Sequence, residues 1–157
     1  EWLQRMEQSG VTPDAHTFTT ILNRTETLDE AAEWLQRMEQ SGVTPDAHTF
    51  TTILNRTETL DEAAEWLQRM EQSGVTPDAH TFTTILNRTE TLDEAAEWLQ
   101  RMEQSGVTPD AHTFNTILNR TETLDETAEW LQRMEQSGVA PDDVTRSTLE
   151  KLKKRSL

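Results

Sequence analysis

Residues 15–46, AHTFTTILNRTETLDEAAEWLQRMEQSGVTPD, return almost letter for letter at 47–78, 79–110 and 111–142. A period of this length marks an array whose unit cannot bury its own apolar face and must share a core with its neighbours. The remaining residues are a further fragment of the unit or an end to the stack. Residues 1–14, EWLQRMEQSGVTPD, match 33–46, so the chain opens on a partial repeat holding a lone second helix. Residues 143–157 break the pattern while keeping a short helix, with Arg146 where the copies carry Phe and with Lys and Arg gathered toward its end, where they suit the helix dipole. That polar stretch reads as a C-terminal capping helix, and 1–157 as a single repeat array.

Inside the unit, Pro13-Asp14 halts the preceding helix and supplies a cap for the next. Helix one is expected over about 15–24. Phe18, Ile21 and Leu22 fall at i, i+3, i+4, leaving His16, Thr17, Thr19, Thr20, Asn23 and Arg24 for its other faces. Such a helix is too short to stand alone. Thr27 with Glu30 forms a capping-box pattern, after which Leu28, Ala31, Ala32, Leu35 and Met38 recur at helical spacing to about Ser41. Trp34 widens that stripe, and the Trp ladder at 2, 34, 66, 98 and 130 reads as core. Gly42 closes the helix in the left-handed conformation, with Val43 placed to cover Met38. Two unequal helices per repeat predict an all-α fold, an α-solenoid of stacked helix-turn-helix units.

Hydrophobic residues make up only 33% of the chain, but they sit at helix-spaced positions, so a folded array is expected rather than a disordered one. The net charge of −15 belongs to the repeat, which carries two Arg against six Asp and Glu. It supports solubility and argues against tight non-specific attraction to nucleic acid. The absence of Cys excludes disulfides and thiolate metal sites. No apolar run is long enough to cross a membrane, and the first residues read as helical repeat rather than a signal or transit peptide, which leaves the compartment open. No nucleophile–base pair, Gly-rich phosphate loop or ligand cluster occurs, so neither catalysis nor a cofactor is expected. The His ladder at 16, 48, 80 and 112 puts successive imidazoles about 8–10 Å apart, too far to share one metal ion.

The run His-Thr-Phe-Thr/Asn-Thr-Ile-Leu-Asn opening helix one, then Leu-Asp-Glu-Ala before an amphipathic helix ending Met-Glu-Gln-Ser-Gly-Val-Thr-Pro-Asp, resembles the pentatricopeptide repeat. It lacks the Trp and Leu-Gly pattern that tetratricopeptide repeats carry in their first helix. The resemblance implies a right-handed superhelix and single-stranded RNA as the partner, about one nucleotide per repeat. A base is then read by the polar residue after the helix-one aromatic together with the residue closing the repeat. Carried over, the pairs are Thr19 with Asp46, Thr51 with Asp78, Thr83 with Asp110, and Asn115 with Asp142. Thr with Asp implies guanine and Asn with Asp implies uracil, so the order is GGGU from the N-terminal repeat. At the second position, where the family usually has an aliphatic residue that sandwiches the base, this chain has His16, His48, His80 and His112, whose imidazoles can stack on bases. Arg24, Arg56, Arg88 and Arg120, one per repeat, are the candidates for phosphate.

The period of 32 is shorter than the family's usual unit of roughly 35 residues, the shortfall falling around 23–25. That loss would alter the superhelical pitch and the spacing of successive sites. If helix one lines the inner surface, the groove is neutral to weakly basic, while Glu26, Asp29, Glu30, Glu33 and Glu39 face water outside. The alternative is a non-catalytic structural or protein-interaction scaffold, or an idealised repeat without RNA activity. Recent duplication and deliberate design would both yield copies this alike.

Overall fold

The computed structural model describes residues 5, 6 and 8–155. Trp2 and the start of the expected opening helix lie outside the described residues. Residues 5, 6 and 8 are helical, and the turn after them closes through Val11 N–H to Met6 C=O at 2.9 Å. The helices that follow are α1 (Ala15–Leu22), α2 (Leu28–Gln40), α3 (Ala47–Leu54), α4 (Leu60–Gln72), α5 (Ala79–Leu86), α6 (Leu92–Gln104), α7 (Ala111–Leu118), α8 (Leu124–Gln136) and α9 (Asp143–Arg155). No strand occurs among the described residues, and no helix among them is long and apolar enough to cross a membrane.

Each short helix starts on an aspartate in extended conformation and ends at Leu22 or its equivalent, two residues before the expected end at Arg24. The turn explains the difference. Arg24 N–H reaches Ile21 C=O at 2.8 Å and Thr25 N–H reaches Leu22 C=O at 3.2 Å, so the backbone tightens to i→i−3 bonds at once. The buried Thr25 hydroxyl adds a 2.8 Å bond to Leu22 C=O.

The long helices begin as expected. Thr27, Thr59, Thr91 and Thr123 cap through their hydroxyls, and in α4, α6 and α8 the glutamate three residues on completes the box. In α2 the Glu30 carboxylate reaches Glu26 N–H instead, at 2.9 Å. At the other end Gly42, at φ 75°, sends its N–H to Glu39 C=O at 3.0 Å while Val43 N–H reaches Met38 C=O at 3.1 Å. That pair of bonds is a Schellman motif, and it recurs at Gly74, Gly106 and Gly138.

By packing, the chain divides into two compact units, Glu1–Thr76 and Pro77–Leu157. In the first, α1 pairs with α2 and α3 with α4, while α1 lies against α3. In the second, α5 pairs with α6 and α7 with α8; α5 lies against α7, and α9 covers both α7 and α8. Within each unit the short helices thus stack on one another and each long helix backs its own short partner. Phe18, Leu22, Ala31, Leu35 and Met38 are fully buried, as are their counterparts Phe82, Leu86, Ala95, Leu99 and Met102. Trp66, Trp98 and Trp130 are buried and Trp34 is half-buried. Each of these indoles is covered by the arginine one turn on, with guanidinium-to-ring distances of 4.8–5.1 Å.

Candidate nucleic-acid interface

The first turn of every short helix is built by two residues. Asp46 Oδ1 accepts from the Thr49 N–H at 2.8 Å and from the Thr49 hydroxyl at 2.8 Å, while Asp46 N–H returns to Thr49 Oγ1 at 3.3 Å. Aspartate with threonine three residues later is a reciprocal capping box in which a hydroxyl replaces the usual longer acidic chain. The same bonds form at Asp14 with Thr17, Asp78 with Thr81 and Asp110 with Thr113. In each case one carboxylate oxygen carries the cap. Among the described residues no hydrogen bond reaches Oδ2 of Asp46 or Asp110, and both side chains are exposed.

The donors set the charge state. Burial works against ionisation of Asp46 and Asp78, but the threonine N–H and hydroxyl outweigh it and hold both carboxyls below the ordinary value. At Asp142 the Thr145 N–H leads the same effect, followed by the Asn115 amide. These are anionic acceptors throughout the neutral range.

The helix-one residues singled out for base reading lie deeper than a polar face exposed to solvent would allow. Thr19, Thr51, Thr83 and Asn115 are 6%, 5%, 2% and 5% exposed. In α3 and α5 the expectation of an open polar side is corrected further, since Thr49, Thr52, Thr81 and Thr84 are also buried. Threonine tolerates this because each hydroxyl finds a partner nearby: Thr19, Thr51 and Thr83 donate to the carbonyls of Ala15, Ala47 and Ala79, each at 2.8 Å. With their protons spent, the Thr19 and Thr83 hydroxyls can only accept a further hydrogen bond.

The fourth pair is joined directly. Asn115 Nδ2 lies 3.0 and 3.1 Å from the two carboxylate oxygens of Asp142, and Asn115 Oδ1 accepts from the Thr145 hydroxyl at 2.7 Å. No such direct bond links Thr19 to Asp46, or Thr83 to Asp110. Thr51 and Asp78 fall in different units. His16, His48, His80 and His112 are all exposed, two residues after the capping aspartate. Among the described residues no three of His, Cys, Asp and Glu gather as a metal site.

The arginines sit past the far end of the helix, which at eight residues is about 12 Å long. Arg24 is exposed, and Arg56, Arg88 and Arg120 are half-buried. Arg56 Nη1 donates to Thr25 C=O at 2.6 Å, and its buried Nε has no partner. Arg56 lines a cavity of about 300 Å³ with Glu26, Asp29, Glu58 and Glu62. Arg120 lines one of about 490 Å³ with Glu90, Asp93, Glu122, Glu126 and Glu129, and burial pushes its guanidinium below the ordinary value. At these two positions the residues picked out for phosphate are brackets in acidic crevices, away from the edge that carries His and Asp. The surroundings of these two arginines are acidic.

Two features escaped the sequence reading. One is the threonine that completes each aspartate cap, for which the Asp-x-x-Thr spacing was the available signal. The other is the arginine laid over each tryptophan.

The pentatricopeptide repeat domain matches residues 1–59, 36–90 and 66–122 of the chain. The chain belongs to the pentatricopeptide repeat family. No curated protein matches this pentatricopeptide array. Among solved structures, PPR10 from maize superposes with a TM-score of 0.73 at 28% identity, over 94% of this chain and 23% of PPR10. PPR10 in complex with an 18-nt psaJ RNA element gives 0.75 at 23% identity, over 98% and 24%. The PPR domain of Arabidopsis thaliana protein-only RNase P 1, in complex with tRNA, gives 0.68 at 19% identity, over 96% and 86%. The array spans about a quarter of the length of PPR10. Its fold is that of an all-α helical-repeat solenoid.

Proposed function

We propose that this chain is a modular single-stranded RNA-binding protein that reads about one base per repeat. The observation that carries the reading is the hydrogen-bond state of the paired residues. Thr83 has given its proton to Ala79 and Asp110 keeps one carboxylate oxygen open, so the pair presents two acceptors. Thr19 with Asp46 presents the same set. Two acceptors suit the adjacent N1–H and N2–H donors of guanine. Asn115 with Asp142 offers an amide N–H beside a carboxylate, which suits the O4 and N3–H of uracil. The order is GGGU, with His16, His48, His80 and His112 exposed for stacking.

Two of the relatives above were crystallised with RNA, which supports this class of partner. The repeats themselves are assigned binding and no catalysis. Affinity should be modest, because a base must reach side chains only 2–6% exposed and Arg56 and Arg120 are engaged within the protein. The test is binding of a GGGU oligomer, single-base variants of it and poly-A at low salt. Equal or absent binding across the set overturns the reading. Asn115→Thr should move the preference at one position from uracil to guanine, and a uniform loss instead would show that the pairs do not encode bases. The acidic crevices around Arg56 and Arg120 favour a protein-interaction scaffold if RNA binding fails.

A further inference from the structure

We propose that Thr145, the third residue of α9, is a specificity-determining positioning residue for the fourth base site, acting by occupying the carbonyl of Asn115. The inference rests on the RNA reading above. Thr145 is fully buried, and its hydroxyl touches both members of the pair, 2.7 Å from Asn115 Oδ1 and 2.9 Å from Asp142 Oδ1. Its backbone N–H caps the same carboxylate oxygen at 2.9 Å.

The rest follows from donors and acceptors. A carboxylate only accepts, so Asp142 fixes the amide with Nδ2 toward it and Oδ1 turned away. One N–H aimed between the two carboxylate oxygens accounts for both distances and leaves the second N–H for a ligand. The carbonyl is the only other group the amide could offer, and the Thr145 hydroxyl takes it. The site is left as a donor beside an anion, which matches uracil. Cytosine in the same orientation sets its amino group against the Asn115 N–H and its bare N3 against the carboxylate, so neither hydrogen bond forms. The preceding pair has the same bracket in looser form: Thr113 Oγ1 lies 2.9 Å from Asp110 Oδ1 and 3.3 Å from Thr83 Oγ1. Removing the Thr145 hydroxyl would expose an acceptor and admit the wrong pyrimidine.

The experiment compares the parent, Thr145→Val and Thr145→Ser for binding to oligomers that differ only at the base facing the fourth repeat, with substitutions at the other positions as internal controls. Valine keeps the shape of threonine and the backbone cap but removes the hydroxyl. In Thr145→Val the uracil-over-cytosine preference should fall ~5- to 10-fold at that base alone, the worth of one hydrogen bond. Thr145→Ser should restore it. A merely structural role would lower affinity at every position alike, and that outcome overturns the inference. A Thr145→Val preference equal to the parent's overturns it as well and leaves the RNA reading standing. A parent with no base preference at any position overturns the RNA reading and this inference together.

Discussion

A hydroxyl buried in a helical array must find its partner within its own turn or the adjoining one. Thr127, 1% exposed, stands where the other copies bury Ala31, Ala63 and Ala95, and it meets this demand twice, through Thr123 C=O at 2.7 Å and Thr121 Oγ1 at 2.8 Å. Thr127→Ala should therefore be close to neutral, within about 0.5 kcal/mol, since Thr121 keeps its 2.8 Å bond to Leu118 C=O and no group is stranded. Urea denaturation measures it. Phe82→Ala, by contrast, empties a fully buried ring site and should cost about 3–5 kcal/mol in the same experiment. The candidate site was legible at this scale as identities, namely which residue follows the aromatic and which closes the repeat. Its hydrogen-bond state was not. Whether Thr83 faces water or spends its proton on Ala79 depends on what packs over it, and Arg56 meets Thr25 across a sequence separation of 31.

Helix ends were the most readable elements, because caps are local chemistry. Thr27 and Gly42 do what their types and spacing predict, while the end of helix one was misplaced by two residues because its tight turn carries no Gly or Pro to announce it. The aspartate caps carry two predictions. Asp78→Ala should lower stability by about 1 kcal/mol, read from the urea midpoint, since the first turn loses the acceptor for Thr81 N–H. The second concerns acid. The carboxyls of Asp14, Asp46, Asp78 and Asp142 all ionise below the ordinary 3.8 when folded, so the unfolded chain binds more protons near that pH and stability rises with pH there. Their contribution should be complete above about pH 5 and should fade as pH falls through 3.8 and below. Thermal midpoints between pH 6 and pH 2 test this, and a midpoint that rises on acidification would contradict it.

For the molecule as a whole, the self-similarity at a period of 32 was enough to predict the class of fold, because an array of units that cannot fold alone has few other solutions. Deleting 79–110, a copy identical to the first, should leave an array that still folds but with a lower urea midpoint, as nearest-neighbour coupling requires. A net charge of −15 with Arg56 and Arg120 bonded within the protein also predicts a shallow salt dependence of RNA binding, since each phosphate neutralised on a single strand adds only about 0.7 to the logarithmic slope. The aspartate caps bear on how such arrays are cut and joined. Asp46 closes the repeat as it is written, yet its hydrogen bonds belong to the helix that follows. The folding module therefore runs from 14 to 45, one residue out of phase with the repeat, and the two halves of each reading pair sit on opposite sides of a module boundary. Shuffling intact modules would create a new pair at every seam, so under the proposed base reading the preference of a recombined array would be inherited from its junctions rather than from its parts.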